Sequence, residues 1–356
     1  MSTNKGYKPH GYRSDDYMAN LPNYNAIIEY AKDPNNELDI QYRDNYINIY
    51  YLGGSLLKLK GKHSIDFDDH YYYPPSKEFP ISYIEALAHK DFRSKITKIK
   101  KLSQLSEEDL MKKRQEAIDI IEDIVSKRDN VVKRLRSAKA ESVSLILCEM
   151  KDVMKKWKRC KRGKNRNAVD ERTVQHYISL FNKESAIDSD FVVIDLEYKL
   201  SELSGYCIPK DQMEPNKGQP RIDIVAIEKS TGQLYVLELK YGLKSTKGKA
   251  GVVEHYNDYL NSVGADDKWE AFWNDIDSLV KVQKKENVLS ETISLNKSKP
   301  IFGFIYKPEK NEEECKEFNQ ILVDNSLSSI MTIYLPHCNY DNCNNPGDQT
   351  HLLKKP

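Results

Sequence analysis

Pro220-Arg221-Ile222-Asp223-Ile224-Val225-Ala226-Ile227, the polar run Ser230-Thr231-Gly232-Gln233, and Leu234-Tyr235-Val236-Leu237-Glu238-Leu239-Lys240 read as two β-strands joined by a turn. Three charged residues, Asp223, Glu238 and Lys240, stand inside otherwise apolar runs. Charge in a buried strand is costly unless it is paired or holds a metal. A two-residue turn at Thr231-Gly232 would set Asp223 opposite Lys240 and Val225 opposite Glu238. Opposed residues share a sheet face, as do residues two apart on one strand. All three groups then converge on one patch, with Asp223 and Glu238 as diagonal neighbours roughly 7–8 Å apart at the backbone. A slip of one residue would carry Asp223 to the other face.

Two carboxylates and a lysine on one face suit a hard divalent ion. Magnesium, with manganese as a substitute, prefers oxygen ligands and keeps waters for a phosphate substrate. The chemistry this implies is metal-assisted phosphodiester hydrolysis; the competing reading is a structural Asp–Lys–Glu ion pair. Glu-x-Lys by itself is common here, at Glu149-Met150-Lys151, Glu197-Tyr198-Lys199 and Glu314-Cys315-Lys316. None of these has both a hairpin partner strand carrying Asp and a clean apolar flank.

Outward from this hairpin, helix and strand alternate. Asp170 can cap a helix carrying Val174, Tyr177, Ile178 and Phe181. Residues 191–198, 301–306 and 329–335 read as strands, and a helix places Val252, Val253, Tyr256, Tyr259, Leu260 and Val263 on one face. Lys268 to Lys299 reads as a further helix and a loop. The fold class is α/β with a mixed sheet flanked by helices.

The Asp-x14-Glu-x-Lys pattern, with a helix on either side, resembles the PD-(D/E)xK nuclease superfamily over about residues 168–306. The resemblance implies a restriction-endonuclease-like αβββαβ core, with Asp223, Glu238 and the Leu239 carbonyl as metal ligands. It also implies that Lys240 positions or activates the attacking water. A glutamate often joins from the preceding helix; Glu171 is the best match and Glu184 the alternative. His255-Tyr256 occupies the place of a polar residue and tyrosine on the following helix, although glutamine is commoner at the first position. Pro220 stands three residues before Asp223 rather than adjacent to it.

The remainder divides into a tyrosine-rich N-terminal domain (1–92), a basic long-helix region (93–166), the nuclease-like domain (167–336) and a polar tail (337–356). Residues 45–52 and 55–60, joined through Gly53-Gly54, read as a hairpin. The tyrosines at 50–51 and 71–73 read as half-buried core rather than a base-stacking surface. Ser106 before Glu107-Glu108-Asp109 marks the start of a long helix or helical hairpin.

The chain of 356 residues carries 55 Lys+Arg against 54 Asp+Glu, yet residues 93–166 hold 23 basic and 11 acidic residues, a local excess of +12. Its densest stretch, with Lys155, Lys156, Lys158, Arg159, Lys161 and Arg162 around Trp157, is the candidate phosphate-backbone contact. The near-neutral total therefore says nothing against a polyanionic partner.

With 39% hydrophobic residues, 15 Gly and 14 Pro, the composition excludes collagen-like, mucin-like and largely disordered classes. The longest apolar runs are far too short to span a membrane. No secretory signal is legible in the polar N-terminal residues, and the six isolated cysteines suit a reducing compartment, so a cytoplasmic location is expected. His337, Cys338, Cys343 and His351 lack zinc-site spacing and read as an unliganded tail. The expectation is a magnesium-dependent nuclease acting on DNA in preference to RNA, in a restriction or antiviral defence role, with a homodimer where both strands are cut. The alternative is a non-catalytic nucleic-acid-binding or scaffold protein that retains the fold.

Overall fold

The structure is a computed structural model that describes residues 24–43, 46–60, 64–74, 80–138, 140–162, 170–199, 221–248, 251–337 and 351–356. In chain order the N-terminal part comprises α1 (Asn25–Lys32), then β1 (Asp39–Tyr42), β2 (Tyr46–Tyr51), β3 (Gly54–Lys60) and β4 (Ser64–Asp66), an antiparallel meander in that order. The short helices α2 (Ile81–Ala88), α3 (Phe92–Ile96) and α4 (Lys100–Ser103) lead to the long α5 (Glu107–Ser137) and α6 (Ala140–Arg162).

Of the two arrangements open for the long helical region, the hairpin is found. The chain breaks at Ala138, whose ψ of 133° is extended, and Arg134 on α5 bridges to Glu149 on α6 at 2.7 Å. Ser106 caps α5 as its sequence context implies, accepting from the Asp109 N–H. The apolar stripe of α5 (Leu110, Ala117, Ile124) packs on Ile84 and Leu87 of α2. That of α6 (Val143, Leu147, Met150, Met154) packs on the first sheet.

The α/β part runs α7 (Glu171–Phe181), β5 (Phe191–Lys199), β6 (Arg221–Glu228), β7 (Leu234–Tyr241), α8 (Val252–Leu260), α9 (Trp269–Lys285), β8 (Ile301–Lys307), α10 (Glu313–Asp324) and β9 (Met331–Tyr334). The five strands lie in chain order: β5, β6 and β7 are antiparallel neighbours, while β8 and β9 add in parallel. A parallel neighbour needs a crossover, and α8 with α9 supplies it. Strand alternation decides what each face covers. Leu237, Leu239, Ile224 and Ala226 pack with Val174 and Ile178 of α7. Val225, Ile227, Leu234 and Val236 turn the other way, into a core shared with Phe272, Ile276 and Leu279 of α9 and with the first sheet.

The hairpin register differs from the two-residue-turn expectation. Ile224 pairs with Leu237 and Ile227 with Leu234, so the connection is the four-residue loop 229–232. It is closed by the Glu228 N–H to the Gln233 carbonyl and the Gly232 N–H to the Glu228 carbonyl, both 2.9 Å. The cause is Glu228, a buried carboxylate that accepts from Thr231 Oγ1 at 2.9 Å and draws the turn residues around itself. Gly232 completes the loop at φ +72°. The shift is two residues, so facing is preserved, and extending the ladder sets Asp223 opposite Glu238 rather than Lys240.

Two ion pairs, each on a fully buried carboxylate, join the first sheet to the second part. Arg43 donates to Asp195 Oδ1 and to the Leu196 carbonyl, both at 2.6 Å, where β5 carries a bulge between Val193 and Asp195. Lys183, just beyond α7, donates to the fully buried Asp39. At the far end of the chain, Leu353 is buried and bonds back to Asn182 Oδ1 at 2.7 Å.

Candidate active site

The site forms where β6 begins and β7 ends. Residues 223, 238 and 240 have the same facing as Val225 and Val236, so they leave the sheet on the α8 and α9 side. Glu238 and Lys240 are 3% and 2% exposed, and Asp223 is half-buried. The Leu239 N–H donates to Asp223 Oδ2 at 3.0 Å, fixing one carboxylate oxygen across the hairpin.

Asp170 caps α7, its Oδ1 accepting from the Thr173 N–H at 2.8 Å, which starts the helix with Glu171 in its first turn. One turn on, Gln175 Nε2 donates to the Asp223 carbonyl at 2.5 Å, so the face shared by Glu171 and Gln175 meets the start of β6. On the other side, His255 of α8 brings Nδ1 to 2.6 Å from Glu238 Oε2. Apart from this contact, Oε2 is buried without a hydrogen-bond partner.

The electrostatics are those of crowded carboxyls. Burial, then the neighbouring Glu238, pushes Asp223 well above the usual carboxylate range, against the pull of Lys240. Burial likewise raises Glu238 to about 7, opposed by Lys240. Glu171 has a large accessible area, yet its carboxyl is set among enough protein to rise to about 7, with the charge on Asp223 adding to the effect. Burial and the positive charge of Lys240 lower His255, keeping its imidazole neutral at pH 7. Burial and mutual crowding therefore favour the protonated forms of both carboxyls more than water does.

The residues fit a hard cation in one respect above all: a buried carboxylate oxygen with spare lone pairs beside carboxyls that lack sufficient positive charge. Among the described residues no three His, Cys, Asp or Glu side chains stand as a ready metal-binding group.

Asp223, Glu238 and Lys240 thus share one sheet face at the hairpin's end, and Glu171 of α7 is near enough for its charge to couple to Asp223 and Lys240. Glu184 stands elsewhere: it accepts from the Ser290 N–H at 2.6 Å, in the segment after α9. Tyr256 packs on Phe302, ring centroids 5.4 Å apart, as part of the core. Gln175 and the approach of His255 to Glu238 were missed. The signal for Gln175 was its place four positions after Glu171, one helical turn on along the same face.

The basic stretch of α6 divides. Lys156 is exposed and Lys155 half-buried, so both reach solvent. Lys158 is instead 7% exposed and donates inward, to the Leu52 carbonyl, to Thr173 Oγ1 at 3.0 Å and to Asp170 Oδ2 at 3.2 Å. It is a structural lysine, because the hairpin tip and the start of α7 present three oxygens to it. Trp157 is buried against His70 and Tyr71, at 4.5 and 5.3 Å. The side chains of Arg159, Lys161 and Arg162 lie outside the described ones. Of the tail residues, His351 packs on Phe181 and Tyr177, and Cys338 and Cys343 lie outside the described residues.

Among known protein families, curated proteins and solved structures, the chain has no match. Among the described residues no helix is long and apolar enough to cross a membrane.

Proposed function

We propose that the protein is a magnesium-dependent nuclease of the PD-(D/E)xK kind. The observation that carries this reading is the meeting of Asp223, Glu238 and Lys240 on one sheet face, with the carboxyls raised in pKa and one carboxylate oxygen left without a hydrogen-bond partner. The order helix, three antiparallel strands, helices, parallel strand supports the αβββαβ core that the sequence resembles.

Asp223 and Glu238 would hold the ion, with the Leu239 carbonyl as a further ligand. When bound, the ion supplies positive charge to the phosphoryl oxygens as negative charge develops. Lys240, 2% exposed, orients the attacking water and stabilises charge at the scissile phosphate, its burial strengthening both effects. Glu171, at the mouth, accepts a proton from that water near pH 7. Lys155 and Lys156 of α6 hold the phosphate backbone. The substrate is DNA in preference to RNA, double-strand cutting is the work of a homodimer, and the role is bacterial defence in the cytoplasm.

The test is Asp223→Ala and Lys240→Ala, assayed on plasmid, linear and single-stranded substrates with magnesium and with chelator. Cleavage is expected to fall at least about a thousandfold in each variant and to vanish with chelator. Cleavage that survives both substitutions sinks the reading. Salt-sensitive binding without cleavage under any metal would establish a binding protein instead.

A further inference from the structure

A cavity of about 720 Å³ lies at the seam between the first sheet and the helices of the second part. The ends of three helices border it. Lys32 is the last residue of α1, Phe181 the last of α7, and Asn287 follows α9 by two residues. A helix C-terminus presents carbonyls without intrahelical partners and the equivalent of about half a negative charge. Some of these last carbonyls are taken up, Tyr30's by Asn36 Nδ2 and Ile178's by Asn182 Nδ2, both at 2.7 Å, but the negative ends of the three dipoles still border one space.

The side chains push the same way. Glu37 and Glu184 add two carboxylates to the wall. Glu184 also accepts from the Ser290 N–H at 2.6 Å, and the lysines beside the two glutamates pair with carboxylates of their own, Lys183 with the buried Asp39 and Lys32 with Glu29 at 2.8 Å. Between the polar rims the lining is apolar and aromatic, with Leu180 and Leu289 beside the rings of Tyr177 and Phe181. Those two rings lie 6.2 Å apart and both rest on His351, at 5.4 and 5.8 Å, which holds them in place. Aromatic faces attract cations, and the volume suits a drug-sized molecule.

We propose that this cavity binds a small organic cation, an ammonium or guanidinium group carried on an aromatic or aliphatic body. The body fills the apolar space and the charge meets the helix ends and the two glutamates. The site is separate from the carboxylate cluster: Glu171 stands at the opposite end of α7, about 15 Å along the helix.

The test uses three probes with one ring system and different charge: tryptamine (cationic), indole (neutral) and indole-3-acetate (anionic), each titrated calorimetrically into the full chain. Tryptamine is expected to bind tightest, by tenfold or more over indole-3-acetate. Leu180→Trp, which fills the cavity, is expected to abolish tryptamine binding while the protein still melts cooperatively. Should that variant fail to fold, Glu184→Gln serves in its place and is expected to narrow the preference for tryptamine over indole. Equal affinity for all three probes, no binding of any at millimolar concentration, or tryptamine binding that neither substitution changes overturns the proposal.

Discussion

The backbone N–H of Leu239 donates to the carboxylate of Asp223 at 3.0 Å, a side-chain acceptor standing where a strand neighbour would otherwise offer a carbonyl. The last paired residues before this point are Ile224 and Leu237. Ending the ladder there frees the ends of β6 and β7 to splay and present side chains at the sheet's rim. Gln175 of α7 then takes up the Asp223 carbonyl, so both backbone and side chain of this aspartate are held. The arrangement is preorganised without any ion, which makes its cost measurable in the metal-free protein.

Asp223→Asn removes one negative charge from a cluster whose carboxyls are all raised in pKa. The metal-free variant is expected to be more stable than the parent by about 1 kcal/mol, or about 2–4 °C in melting temperature. The same variant should lose the stabilisation that magnesium gives the parent. Paired melts in chelator and in millimolar magnesium check both; a variant that melts lower in chelator and still responds to magnesium contradicts the assignment.

Stability and metal binding should respond to pH with opposite signs. Glu238 has a folded pKa of about 7 against an ordinary value of 4.5, so the folded state favours its protonated form. Its contribution to metal-free stability is complete below pH 4.5 and is lost as pH rises through about 7, at up to ~1.4 kcal/mol per pH unit. The ion must displace those protons, so magnesium-induced stabilisation should be small at about pH 5.5 and grow through about pH 8. Melts across that window, with and without magnesium, read both slopes. A magnesium effect independent of pH would show that these carboxyls are not its ligands.

The lysines of α6 should separate into two kinds. Lys155→Ala with Lys156→Ala is expected to leave the melting temperature within about 1 °C, to weaken nucleic-acid binding, and to reduce the salt slope by about one to two. Lys158→Met is expected to cost about 2–4 kcal/mol of stability, because the Leu52 carbonyl and the Asp170 carboxylate lose a buried donor. Thermal melts and fluorescence anisotropy at several salt concentrations distinguish them. A Lys158 variant as stable as the parent would place that side chain outside.

The hairpin bearing Asp223, Glu238 and Lys240 was legible because facing survives any even shift of register: the turn differs from expectation by two residues and the faces do not. The capping aspartate and serine, Asp170 and Ser106, were legible because a cap acts within four residues of itself. What could not be read depends on long-range contact. A lysine in a basic run shows no sign that three oxygens from residues 52, 170 and 173 await it. Nor does Glu228 at a strand end announce that Thr231, Tyr235 and Lys355 will gather on it and lengthen the turn.

The tip of the β2–β3 hairpin sets the helix that carries Glu171. Leu52 and Gly53 form its turn with φ of 48° and 73°, and a Cβ on Gly53 would lie 2.2 Å from the Arg172 carbonyl oxygen. The Leu52 carbonyl meanwhile accepts from Thr173 Oγ1 at 2.9 Å, so the tip is pressed against the first turn of α7 from two directions. Gly53→Ala combines a left-handed backbone with a clash against main-chain atoms, and is expected to destabilise by about 2–4 kcal/mol. Because the tip touches Arg172 and Thr173, next to Glu171, the variant should also lose cleavage rate when assayed well below its melting temperature. Leu52→Gly supplies the control: it relaxes the same turn, keeps the carbonyl acceptor, and should retain the rate. A Gly53→Ala protein with parental stability and parental rate would show that the N-terminal sheet does not position α7.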